Sequence, residues 1–122
     1  MGGSMLKLRD DIKIYVSADP IDARKSIDSL CAVIIDKFID NPQCGNLFIF
    51  FNKSRDKVKI IWWDVNGFVL HYKRLEKGRF VLPKLNTMDR LEISQTQLHG
   101  LLAGLDFSLM RHYPEINYYQ YA

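Results

Sequence analysis

The chain lacks most of the features by which a sequence announces its chemistry. No apolar run reaches the roughly 18 residues that a membrane-spanning helix needs, so no membrane partner is expected. Leu6–Lys13 is charged rather than apolar, which argues against a signal peptide, and a cytoplasmic location follows as the expectation. Met1-Gly2-Gly3-Ser4 reads as an expression-tag remnant ahead of a start at Met5. Cysteine is scarce: Cys31 and Cys44 are too few for a disulfide framework and fit a reducing compartment. Histidine is equally thin. His71, His99 and His112 are scattered, and none has a second His or Cys at metal-ligand spacing, so each reads as structural. The glycines form no phosphate-cradling loop after a strand, and no G-x-S-x-G or H-E-x-x-H pattern occurs. Asp64 and Glu76 could meet across the hairpin ends as a Mg²⁺ site for nucleic-acid cleavage, but both read better as offsets to nearby cations. No catalytic residue, metal or cofactor is therefore assigned.

What remains is an ordinary globular composition, 48% hydrophobic and 25% charged, with an uneven charge distribution. The net charge is only +3, but residues 53–79 hold eight cations and three carboxylates, while the segments on either side are close to neutral. Lys53, Arg55, Lys57, Lys59, Lys73, Arg74, Lys77 and Arg79 make up this block. Such asymmetry suits a polyanion partner; the alternative is the lysine-rich solvated face of a sheet.

Ile12–Val16 reads as a strand. Asp19-Pro20-Ile21-Asp22 has the signature of a helix start, predicting a helix over 20–39 with Ile27, Leu30, Cys31, Ile34 and Phe38 on its buried face. Leu47–Phe51 is a wholly apolar run, expected to be a strand covered on both faces. Lys57–Asp64 alternates, an Asn66-Gly67 turn follows, and Phe68–Leu75 returns. These three strands predict an antiparallel meander. Arg90–Ile93 reads as a short additional strand, and Ser94-Gln95-Thr96-Gln97 as a capping box opening a short helix over 94–104. The expected architecture is a single α+β domain over 5–107, a small antiparallel sheet with two helices packed on it. A Tyr-rich tail, 108–122, has no clear period.

Period two splits the hairpin cations and aromatics between two faces. Trp62 is the expected core residue, and Trp63 the better candidate for contact with a base or a partner. Lys57, Lys59, Ile61 and Trp63 share a side, with the lysines expected at the rim of whatever covers Ile61. Arg24 and Lys25, placed just inside the predicted helix start, oppose its dipole, which suggests either phosphate contact or an ion pair from Arg24 to Asp28.

The segments Leu47-Phe-Ile-Phe-Phe51, Lys57-Val-Lys-Ile-Ile-Trp-Trp-Asp64, Asn66-Gly67 and Lys73-Arg-Leu-Glu-Lys-Gly-Arg-Phe80-Val-Leu-Pro83 resemble a known family. So do Asp22-Ala-Arg-Lys25, Ser94-Gln-Thr-Gln-Leu98 and Leu101-Leu-Ala-Gly-Leu-Asp106. The family is the small accessory protein of insertion sequence sixty-six elements, the second open reading frame or TnpB-type product, distinct from the RNA-guided nuclease of the same name. Leu82 stands where the family usually has tryptophan, and the tail has no family counterpart. The resemblance implies a non-catalytic factor that assists a separate DDE-type transposase in bacterial transposition. Together with the charge pattern it gives a first expectation of element-DNA binding through Arg24, Lys25, Lys53, Arg55, Lys57, Lys59, Trp63, Lys73, Arg74, Lys77 and Arg79. A second expectation is a protein–protein adaptor, docking on the transposase or on a second copy without touching DNA. The sequence sets no oligomeric state.

Overall fold

The computed structural model describes residues 11–82 and 90–106. Residues 1–4, Pro83 and the 108–122 tail, with His112, lie outside the described residues. The described chain runs β1 (Ile14–Ser17), α1 (Ile27–Val33), a π-helical turn continuing it (Ile34–Phe38), a 3₁₀ turn (Pro42–Cys44), β2 (Leu47–Phe51), β3 (Lys57–Asp64), β4 (Gly67–Arg74), β5 (Arg90–Ile93) and α2 (Gln95–Leu102). Five strands form one mixed sheet in the order β4-β3-β2-β1-β5. The fold is α+β, as expected.

The meander β2-β3-β4 is antiparallel, as its alternation and turns predict. The sheet as a whole is not purely antiparallel. β1 lies parallel to β2, with Ile14 opposite Leu47, and antiparallel to β5. A parallel neighbour needs a crossover, and α1 provides it. β2 is buried at every position because it is the central strand with a helix layer on each side.

Pleating then sorts the core. On one face, Phe48, Phe50 and Ile61 pack against Leu30, Ile34 and Phe38, with Ile27 and Cys31 at the margin. On the other, Leu47, Ile49, Phe51, Val58, Ile60 and Trp62 pack against Leu98, Leu101 and Leu102. The buried helix face and the core role of Trp62 are both as predicted. The capping box also forms: Ser94 Oγ accepts from the Gln97 backbone N–H at 3.1 Å, and Gln97 Oε1 accepts from Ser94 N–H at 2.9 Å.

Two local expectations are corrected. Asp19-Pro20 does not start the first helix, which begins at Ile27 after an N-cap at Ser26. Ile21 N–H instead donates to Phe51 O at 2.9 Å, and Asp22 turns the chain, its Oδ1 accepting from Arg24 N–H at 2.9 Å. A short acidic side chain that bonds its own backbone competes with helix, and here it wins. The hairpin turn is also shifted by one residue. Asp64 pairs with Gly67, so Val65-Asn66 form the turn and Gly67 opens β4. Val65 adopts a φ of +51°, in the left-handed region that β-branched residues avoid.

Arg90 ties β5 to the end of the first helix. Its Nη1 lies 2.5 Å from Asp40 Oδ2, and its guanidinium stands 4.2 Å from the Tyr15 ring centroid. Among the described residues no helix is long and apolar enough to cross a membrane.

Candidate nucleic-acid interface

β1 and β2 both finish at one end of the sheet, and three segments converge there. The first is the turn after β2. Asn52 Oδ1 accepts from the backbone N–H groups of Asp56 at 3.1 Å and Lys57 at 3.0 Å, and its Nδ2 donates to Asp56 Oδ1 at 2.7 Å. Asn52 thereby fixes the loop that carries Lys53 and Arg55, and Arg55 takes a φ of +59° within it. The Asn52 hydrogen bond, with Lys57 beside it, holds the Asp56 carboxyl below its usual range.

The second segment follows β4. Leu75 N–H donates to Asp56 O and Phe80 N–H to Arg55 O, both at 2.7 Å. Phe80 is buried edge-on against Phe51. Lys77 and Arg79 are exposed between these two anchors, beside Lys53 and Arg55.

The third is the Asp22–Lys25 turn, tethered by the Ile21–Phe51 bond. Arg24 does not pair with Asp28. Its Nη2 and Nε meet the Asp22 carboxylate at 2.7 and 3.1 Å, and Asp22 is held well below the ordinary carboxylate range by that bond. Arg24 and Lys25 precede the helix rather than lying inside its first turn. The Arg24 side chain is 91% exposed.

The hairpin register joins these segments to one face. Lys57 stands opposite Arg74, Lys59 opposite Tyr72, and Trp63 opposite Phe68. Lys59 Nζ donates to Lys25 O at 2.5 Å and lies 5.5 Å from the Tyr72 ring centroid, linking the turn to the hairpin. The lysines sit at the rim of a covered Ile61, as expected. Lys57 pairs with Asp56 at 3.4 Å and Arg74 with Glu76 at 3.1 Å. The Arg74–Glu76 pair is exposed and contributes little to stability, so Arg74 can exchange partners at small cost.

Two of the eleven expected residues stand apart. Lys73 lies on the opposite face, where Nζ donates to Leu102 O at 2.7 Å, at the carboxyl end of α2. Trp63 is half-buried near the hairpin tip, its ring edge packed against Phe68 at 5.0 Å. Of the other nine, Lys57, Lys59 and Arg74 lie on this face, and Arg24, Lys25, Lys53, Arg55, Lys77 and Arg79 on the turns at this end. Sequence reading missed Asn52; an Asn two to five residues before a strand is the only local signal, and it fits any turn.

Asp64 and Glu76 do not meet. Asp64 closes the hairpin tip, while Glu76 lies beyond the far end of β4, roughly 25 Å away for an eight-residue strand. Among the described residues no group of three or more His, Cys, Asp or Glu could hold a metal ion. Burial pushes the Cys31 thiol up, with Asp28 adding to the effect, which suits packing rather than nucleophilic chemistry. The cleft between residues 17–20, the 51–55 turn and Leu82 is about 80 Å³, well short of the several hundred that a small-molecule site offers.

A family model described as IS66 Orf2 like protein matches residues 12–112. The chain is 32% identical over 103 residues to the uncharacterized protein y4jC of Sinorhizobium fredii, covering 84% of this chain and 87% of that protein. It is 35% identical over 103 residues to the uncharacterized protein y4hO of the same organism, covering 84% and 89%. No solved structure matches the chain.

Proposed function

The chain belongs to the IS66 Orf2-like family of accessory, non-nuclease proteins associated with transposition, and from that premise we propose that it binds element DNA through the basic face of the β3–β4 hairpin while assisting a separate DDE-type transposase, without catalysing a reaction itself. The observation that carries this reading is the Lys59 bridge. It ties the Lys25 backbone, and with it the turn that carries Arg24, to the strand face that bears Lys57, Tyr72 and Arg74. Lys53, Arg55, Lys77 and Arg79 extend the same positive surface around the end of the sheet. Cations spread along a surface and backed by rigid strands suit a phosphate backbone better than a small anion.

The test is salt dependence. With about six cations reaching phosphates, log Kd against log salt should have a slope of about 5 in magnitude. Arg74→Glu with Arg79→Glu should flatten it by about 2. An unchanged slope in a folded double variant overturns the assignment.

The adaptor reading draws support from Ile35 and Ile39, one helical turn apart and 53% and 81% exposed. It expects capture of the transposase with weak salt dependence and no binding to DNA.

A further inference from the structure

Among the described residues, Tyr72 is the one aromatic that the basic face leaves open. It is 48% exposed on β4, which is an edge strand of the sheet. Cations surround it: Lys59 Nζ lies 5.5 Å from the ring centroid, and the Lys57–Arg74 pair stands two residues along on the same face. The turn bearing Arg24 is held by the same Lys59 ammonium. Trp63 does not share this position, because its ring is packed against Phe68.

The ladder gives Tyr72 a second property. Asp64–Gly67 closes the hairpin, and Leu75 N–H bonds to Asp56 O, so the odd-numbered residues of β4 direct their backbone groups at β3. Tyr72 and Arg74 therefore direct their N–H and C=O groups to the outer edge, where no strand lies among the described residues. An exposed ring, free backbone donors and three cations meet at one spot.

We propose that this spot takes single-stranded nucleic acid, with an unpaired base stacked on Tyr72 and the flanking phosphates on Lys57, Arg74 and Arg24. The inference rests on the nucleic-acid reading above and specifies the form of the ligand. In a duplex every base face is already stacked, so the cations would find phosphates while the Tyr72 ring found nothing flat to cover. An unpaired strand uses both. Stacking is tolerant of base identity, so the site prefers a form of nucleic acid rather than a sequence.

The test uses the full chain and fluorescence anisotropy. One probe is a labelled oligothymidine of about 16 nucleotides, and the other is a mixed-sequence duplex of equal length. The single strand should bind tighter. Tyr72→Ala should weaken single-strand binding about tenfold, leave the salt slope unchanged and leave the duplex unaffected. Tyr72→Phe should bind like wild type. Tyr72→Leu keeps apolar bulk on the edge strand and should match the alanine variant, which covers the case in which alanine unfolds the chain. Equal losses on both probes, no loss in Tyr72→Ala and Tyr72→Leu, or a wild type that favours duplex would each overturn the inference while leaving DNA binding intact. A wild type that binds neither probe overturns the parent reading as well.

Discussion

Lys59 and Lys73 sit on the same hairpin, and each donates to a backbone carbonyl, at 2.5 and 2.7 Å. They differ in the face from which they do so. Lys59 reaches a surface turn and stands among other cations and an open aromatic ring. Lys73 reaches the end of α2, above a core of Val58, Ile60 and Trp62, where it completes a helix. A count of cations along the chain ranks the two equally. The pleat separates them, because neighbours in a strand point to opposite layers. Charge in a sequence thus locates a surface only once the face is known.

Three measurements test this contrast. The largest effect belongs to the layers themselves. Leu98 and Leu30 are fully buried, one under each face. Leu98→Ala and Leu30→Ala should each cost about 2–5 kcal/mol in urea unfolding. Leu98→Ala should leave the affinity of the folded fraction for DNA unchanged, since its layer is the one away from the basic face. A loss of affinity would show that the faces are coupled. Next is the lysine pair. Lys73→Met should lower stability by about 1–2 kcal/mol and leave the salt slope of DNA binding alone. Lys59→Met should reduce the slope by about 1. Reversed outcomes would exchange the roles assigned to the two faces. The smallest effect concerns His71, on the Lys73 side. Burial, and then the nearby Lys73 charge, push its pKa below the ordinary value. The unfolded chain then binds a proton more readily than the folded one, so this contribution to stability is fully present above about pH 6.5 and is lost below it, as pH falls through the lower pKa of the folded chain. The urea midpoint should drop between about pH 8 and pH 5 by more in wild type than in His71→Gln. Equal drops would place His71 in contact with water.

The sequence is most readable where structure is local. The alternation of Lys57–Asp64, the apolar run of Leu47–Phe51 and the Ser94–Gln97 box are each settled by neighbours a few residues away, and each appears as read. The failures have distant partners. The start of α1 was displaced because Ile21 pairs with Phe51, which no window around Asp19-Pro20 contains. The parallel β1–β2 pairing is equally invisible to periodicity, which gives a strand's faces but not its neighbours. Nine of the expected residues fall at one end of the sheet, since block charge and period two are local signals. The employment of Lys73 at α2 and the organising role of Asn52 depend on what lies across the fold.

The pairing of Ile14 with Ile93 has a kinetic consequence. β2, β3 and β4 find one another across short turns, so their ladder can close early. β1 and β5 must meet across nearly the whole described chain, and that closure carries the larger loop entropy. On loop entropy alone, the hairpin that bears Lys57, Tyr72 and Arg74 is expected to close before β1 and β5 pair, and stopped-flow refolding of variants in each would check that order.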